Sequence, residues 1–136
     1  MADKLKLEMV TPYKQVLSEE VDEITAPGFI GELGILPDHT PLLTTLKVGE
    51  LTYKKGSEAF HVAVNWGYLE VEENTVTVLV DTAERADEID LARAKAALGR
   101  AEEALKTLPP EDKKYMIMEA ALQRALIRIR VAGEGR

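Results

Sequence analysis

The feature that most limits how this chain can fold is a change of hydrophobic period near residue 81. From Leu5 to Val80 apolar and polar residues alternate: Leu5, Leu7 and Met9 interleave with Lys4, Lys6 and Glu8, and Val76, Val78 and Val80 with Thr75 and Thr77. Successive side chains of a strand point to opposite faces, so this alternation predicts half-buried strands. Further strand-like runs cover 21–26, 42–46, 51–54, 59–64 and 68–71. Turn chemistry separates them at Pro27-Gly28, 31–34, Lys55-Gly56 and Glu73-Asn74. Many short strands with frequent turns predict an antiparallel β-sandwich or flattened barrel.

Beyond Asp81 the apolar residues step by three and four. Leu91, Ala94, Leu98, Ala101, Leu105 and Leu108 form one stripe, and Tyr115, Met118, Leu122, Ala125 and Ile129 form another. Pro109-Pro110 stops the first helix, and Pro110 followed by Glu111-Asp112 suits the opening of the second. The short connection predicts an antiparallel α-helical hairpin, with Ala94, Ala97, Ala101, Ala121 and Ala125 permitting close approach. The expected architecture is α+β, a sandwich over 1–84 followed by a two-helix domain over 85–136. Helices of about 20 residues are only just stable without tertiary contacts. The hairpin is therefore the natural movable element.

Charge divides at the same place. Through Glu84 there are 15 acidic side chains, six lysines and no arginine; from Arg85 onward 11 basic side chains meet nine acidic ones. The acidic first part argues against nucleic-acid binding as the main role. No stretch approaches the ~20 apolar residues that span a bilayer. Residues 1–6 carry neither an apolar run nor a small-residue cleavage pattern, so no signal peptide is expected. The composition is that of a folded protein able to bury a core, and a cytosolic, reducing compartment fits the expected lack of a signal peptide, while the absence of cysteine is compatible with either redox state.

Catalytic constellations are scarce. With two histidines, His39 and His61, and no cysteine, a zinc or iron site is not expected. Asp38-His39 could form a base and its orienter, yet the surrounding Pro37-Asp38-His39-Thr40-Pro41 is ordinary turn chemistry. Neither a phosphate-loop nor a dinucleotide fingerprint occurs. Gly28, Gly31 and Gly34 read as backbone that must turn or approach something closely.

That glycine-rich segment carries a resemblance. Pro27-Gly28-Phe29-Ile30-Gly31-Glu32-Leu33-Gly34-Ile35-Leu36-Pro37-Asp38-His39-Thr40-Pro41-Leu42-Leu43-Thr44 resembles the signature segment of the epsilon subunit of F-type ATP synthases. The start, Leu7-Glu8-Met9-Val10-Thr11-Pro12, the later Gly67-Tyr68-Leu69-Glu70-Val71 and the terminal hairpin resemble it too. The resemblance thus covers essentially the whole chain. Asp38 departs from it, since many members carry a small residue before the histidine.

The resemblance implies a non-catalytic rotor subunit without a resident cofactor or metal. Its sandwich would be held by the gamma subunit and touch the c-ring, with the loop bearing Glu32 and His39 toward that ring. Ile89-Asp90-Leu91-Ala92-Arg93-Ala94 is similar to the motif by which some bacterial epsilon subunits bind ATP, and Glu84, Arg124 and Arg128 fall at matching positions. Asp90 and Arg93 are three apart and Arg124 and Arg128 four apart, each pair on one helix face, so a folded hairpin could gather three guanidinium groups around one ligand. As a carboxylate, Asp90 would serve an adenine amino group, a ribose hydroxyl or an arginine rather than a phosphate. The bland alternative is a set of surface salt bridges on exposed helices.

In the implied mechanism, an extended second helix would set Arg124, Arg128 and Arg130 against acidic segments of the alpha and beta catalytic subunits and inhibit hydrolysis. ATP bound to the compact hairpin would hold that helix back, and falling ATP would release it. Magnesium dependence is open. The implied location is the cytoplasmic face of the bacterial plasma membrane, reached only through the complex; chloroplast members share the architecture, while the ATP motif points to a bacterium. Two competing readings are an autonomous ATP sensor or adaptor, and a small enzyme using Asp38 and His39.

Overall fold

The computed structural model describes residues 3–134; Met1 and Ala2 of the N-terminal segment, and Gly135 and Arg136 of the helical part, lie outside the described residues. Eight strands come first: β1 (Leu5–Val10), β2 (Gln15–Val21), β3 (Glu23–Pro27), β4 (Glu32–Ile35), β5 (Leu42–Leu46), β6 (Gly49–Lys55), β7 (Glu58–Glu72) and β8 (Thr75–Arg85). They hydrogen-bond in the order β2-β1-β8-β7-β6-β3-β4, with β5 joining β7. Every pairing is antiparallel except that of β1 with β8, which is parallel. The alternating apolar residues close one core, with Leu5, Leu7 and Met9 of β1 against Val76, Val78 and Val80 of β8 and Val62, Val64, Leu69 and Val71 of β7. This is the expected sandwich.

Three details differ from the sequence expectation. β2 is absent from the runs read above because Val16 and Leu17 are consecutive and both buried, which breaks the alternation; its register with β1 shifts between Met9 and Val10. Part of the glycine-rich turn at 31–34 is strand β4, paired with β3. The separate runs 59–64 and 68–71 belong to the single strand β7. Trp66, at φ 42°, lies where β7 exchanges its partner β6 for β5. Next to it, a Cβ on Gly67 would lie 2.0 Å from the Leu79 carbonyl oxygen, so only glycine lets β8 pass this close and continue to Arg85.

A short 3-10 turn, Ala86–Glu88, leads to helices α1 (Leu91–Thr107) and α2 (Lys113–Glu134). Asp90 caps α1 by accepting from the Arg93 backbone N–H at 3.1 Å, and Asp112 accepts from Lys114 N–H at 2.8 Å at the start of α2. The helices pack together through small residues: Ala94, Ala101 and Ala125 are buried, whereas Leu98, Leu105, Leu122 and Ile129 are only half-buried. At its C-terminal end α2 meets the sandwich. Val131 and Ala132 are fully buried in a small cluster with Ala63 of β7, Ala86 and Ile89. The hairpin is thus in its compact arrangement.

Candidate functional site

Between β8 and the hairpin lies an open cleft of about 550 Å³. β8 supplies Asp81, Thr82 and Glu84, β7 supplies Asn65, α1 supplies Ala97, and α2 supplies Arg124 and Arg128, one helical turn apart. Arg128 forks onto Glu84. Its Nη2 donates to Oε2 at 3.2 Å, while Nε lies 2.7 Å from Oε1 but off the hydrogen-bond direction. Both side chains are about a third exposed, so the pair itself contributes under ~1 kcal/mol. Chemically the cleft offers two guanidinium groups, one of them tied only to a carboxylate that a phosphate could replace. The alanines at 97 and 121 leave the space open.

The remaining motif residues are distributed around this cleft. Ile89 and Ala94 are buried and shape the start of α1. Asp90 is exposed and engaged as the helix cap, and Arg93 is exposed one turn before Ala97. The fold therefore gathers Glu84, Arg124 and Arg128, and leaves the Asp90 and Arg93 side chains off the cleft lining.

A second cluster went unseen in the sequence. His61 Nδ1 lies 2.6 Å from Glu50 Oε2 and 3.2 Å from Glu134 Oε2, and Arg130 Nε lies 3.3 Å from Glu50 and 3.2 Å from Glu134. Burial, and then the neighbouring Glu134 carboxylate, push the Glu50 carboxyl above its ordinary value. Glu134 is held below its own by the hydrogen bond from Glu50, with Arg130 and His61 acting in the same direction. Two adjacent carboxyls resolve this way when the more buried one keeps the proton. The trio Glu50, His61 and Glu134 could geometrically meet a cation, but Arg130 already supplies one. Glu50 and His61 are diagonal neighbours across β6 and β7, and Arg130 and Glu134 are an i,i+4 pair. Only the docking of α2 joins the two halves.

Glu32 and His39 stand at opposite ends of β4. Glu32 is exposed and shares an open cavity wall with Lys47 and Arg130. His39 follows a turn in which Asp38, at φ 66°, donates its N–H to Asn74 Oδ1 at 2.6 Å and accepts from Asn74 Nδ2 at 3.2 Å. The His39 ring nitrogen Nδ1 lies 2.6 Å from the Thr40 carbonyl, to which it can only donate. Asp38 and His39 each face a turn partner, which is structural chemistry and not an acid–base pair. A further feature unremarked in the sequence is an exposed apolar surface of Phe29 (62%), Trp66 (50%), Tyr68 (55%) and Leu79 (51%), with a shallow recess lined by the first three. Aromatic residues left open in this way mark contact surfaces. Strand alternation alone cannot reveal them, because it does not say which face is covered.

Residues 4–86 match the family described as ATP synthase, Delta/Epsilon chain, beta-sandwich domain, and residues 87–133 match its long alpha-helix domain. The chain is 72% identical over 134 residues to the ATP synthase epsilon chain of Geobacter metallireducens, spanning 98% of this chain and 97% of that one. It is 69% identical over 135 residues to ATP synthase epsilon chain 2 of Syntrophotalea carbinolica, spanning 99% and 98%. Among solved structures, the fold is shared with a chain of the Euglena gracilis mitochondrial ATP synthase, solved with OSCP, F1 and the c-ring, at a TM-score of 0.83 and 22% identity over 97% of this chain and 82% of that one. A chain from the Tetrahymena thermophila central stalk and c-ring is also similar, at 0.58 and 20% identity over 96% and 95%.

Proposed function

The chain belongs to the ATP synthase epsilon-chain family, whose members are non-catalytic subunits, and from that membership we propose that it is a central-stalk rotor subunit whose hairpin senses ATP and restrains hydrolysis. The sandwich carries the attachment. Phe29, Trp66, Tyr68 and Leu79 offer an apolar seat for the gamma subunit, and Glu32 and His39, on either side of β4, are the residues expected to meet the c-ring. The protein is then peripheral to the bacterial plasma membrane on its cytoplasmic side, held there only through the complex.

The observation that carries the regulatory part is the cleft in which Glu84 holds Arg128 beside Arg124 while the hairpin is compact. A triphosphate entering the cleft draws Arg128 off Glu84 and stands between α2 and β8, with Arg93 one turn away on α1. Bound ATP stabilises the compact hairpin by mass action. When ATP falls, α2 leaves the sandwich, extends toward the alpha and beta subunits, and presents Arg124, Arg128 and Arg130 to them. Arg130 is released in that step from Glu50 and Glu134.

Calorimetric titration of the isolated chain with ATP, with and without magnesium, tests this reading. Saturable binding by the native chain, weakened at least tenfold in Arg128→Ala, is the expected result. No heat of binding at millimolar ATP would remove the nucleotide from the mechanism and leave a stalk subunit whose helices answer to another signal.

A further inference from the structure

The end of α2 is held to the sandwich by charge as well as by Val131 and Ala132. The sheet fixes Glu50 on β6 and His61 on β7, whose side chains are 9% and 19% exposed, and the last turn of α2 brings Arg130 and Glu134 to them. His61 Nδ1 sits at the centre, 2.6 Å from Glu50, 3.2 Å from Glu134 and 3.4 Å from the Thr52 hydroxyl. A ring nitrogen carries at most one hydrogen, so it fully satisfies one carboxylate and not two. Arg130 spans both carboxylates from the outside, with most of its side chain in solvent. The other charged groups facing the cluster are Glu32 of β4 and Lys47 ahead of β6, opposite in sign, on the same cavity wall. Docking therefore sets a second carboxylate against Glu50 in a place already mostly closed to water. Two carboxylates brought together in this way repel unless one of them takes a proton. The upward displacement of Glu50, through burial and then Glu134, has the direction that this geometry requires.

We propose that Glu50, His61, Arg130 and Glu134 form a proton-operated clasp on the hairpin, in which uptake of one proton between Glu50 and Glu134 fastens the end of α2 to the sandwich. When α2 leaves, Glu134 and Arg130 leave with it and Glu50 opens to water. The docked arrangement thus binds that proton more tightly than the undocked one, and protons must favour docking in return. Glu134, displaced downward, keeps its own contribution until pH falls below 4.5. Arg128 and Arg130 are two positions apart, about 200° around the helix, so the clasp and the Glu84 contact hold α2 from different sides. The clasp needs no nucleotide. Its consequence for hydrolysis rests on the brake reading above: under acid the hairpin stays compact at ATP levels that otherwise let it extend.

Hydrogen exchange of the full chain without nucleotide, followed from pH 7.5 down to 4.5 and corrected for intrinsic exchange at each pH, tests the proposal. Protection of the amides at 127–134 should rise roughly threefold or more over that range while β7 and β8 change by less. Glutamine has the shape of the protonated acid and no titration. Glu50→Gln should therefore protect 127–134 at pH 7.5 at least as well as the native chain does, and lose the rise. Protection that stays flat or falls in the native chain, or a rise that survives in Glu50→Gln, would overturn the clasp. If that variant does not fold, Glu134→Gln decides: removing the facing carboxylate should shrink the rise, and an undiminished rise counts against the proposal. Repeating the series with ATP separates the two readings. A chain that acid tightens and ATP does not fails the nucleotide reading and keeps the clasp; one that ATP tightens and acid does not fails the clasp alone.

Discussion

Glu50 and Glu134 titrate with opposite signs, and the difference shows what the end of α2 gains by docking. Glu50 has a folded value above its ordinary 4.5, so its contribution is fully present below about that pH and is lost as pH rises through the raised value. Glu134 has a depressed value, so its contribution is present above about 4.5 and is lost as pH falls through the depressed value. Around them stand His61 on β7, Arg130 on α2, and Glu32 and Lys47 on the cavity wall. Helix docking should therefore tighten as pH falls from 7.5 through the raised Glu50 value, and loosen as pH falls further, below 4.5, through the depressed Glu134 value. Circular-dichroism melting of the helices checks this. Glu50→Gln should leave the melting temperature at pH 7.5 unchanged or raised and flatten the gain on acidification toward 4.5. Glu134→Gln should lower it at pH 7.5, by an amount equivalent to under ~1 kcal/mol because the group is about a third exposed. Equal losses in both variants would reverse the sign assigned to Glu50. At this scale the sequence is legible where spacing along one helix sets the geometry, as at Arg124 and Arg128, which share one wall of the cleft. It is silent on Glu50, His61 and Glu134, which lie on three elements and become neighbours only through tertiary packing.

Among the elements, α2 is the one whose stability is borrowed. Its contact with α1 runs through alanines, and its grip on the sandwich depends on Val131 and Ala132 against Ala63, Ala86 and Ile89. Small side chains allow close approach but bury little area each, so the docked end is held by little apolar surface. Val131→Asp would place an unpaired carboxylate in that cluster and cost about 3 kcal/mol of docking. Hydrogen exchange should then accelerate across 127–134 while β7 and β8 keep native protection; loss of protection throughout the strands would mean that the hairpin and sandwich are one cooperative unit. The helices were legible because their three-and-four spacing survives partial exposure and because Pro109-Pro110 marks the break. Strand boundaries were less so. Consecutive buried residues at Val16 and Leu17 hid β2, and the left-handed Trp66 beside Gly67 made one strand look like two. Both obscure the alternation where a strand meets a bulge or changes partner, because pairing and not side-chain period then sets the conformation.

The molecule couples a large core to a small one across two charged junctions, the cleft at Glu84 and Arg128 and the cluster at Glu50, His61, Arg130 and Glu134. The sandwich buries long aliphatic residues from seven of its strands, whereas the hairpin cluster is mostly alanine and valine. The division at the end of β8 is legible in the change of period and in the placement of every arginine from Arg85, the last residue of β8, onward; which face of the sandwich the hairpin covers is not, because the alternation is the same on either side. Unequal cores predict unequal opening. In the native chain, amides of α2 should exchange through a local opening of smaller free energy than that which releases β7 and β8. A ligand bound only when the helix is docked must raise the first quantity, and it leaves the second unchanged only if the sandwich unfolds from an already undocked, ligand-free state. With ATP at a hundred times its dissociation constant, the α2 opening free energy should rise by about 2.7 kcal/mol. The gap between helix and strand protection should narrow accordingly. An equal rise in every amide would mean that ATP stabilises the fold as one unit, and a hairpin that cannot open separately cannot serve as an ATP-released brake.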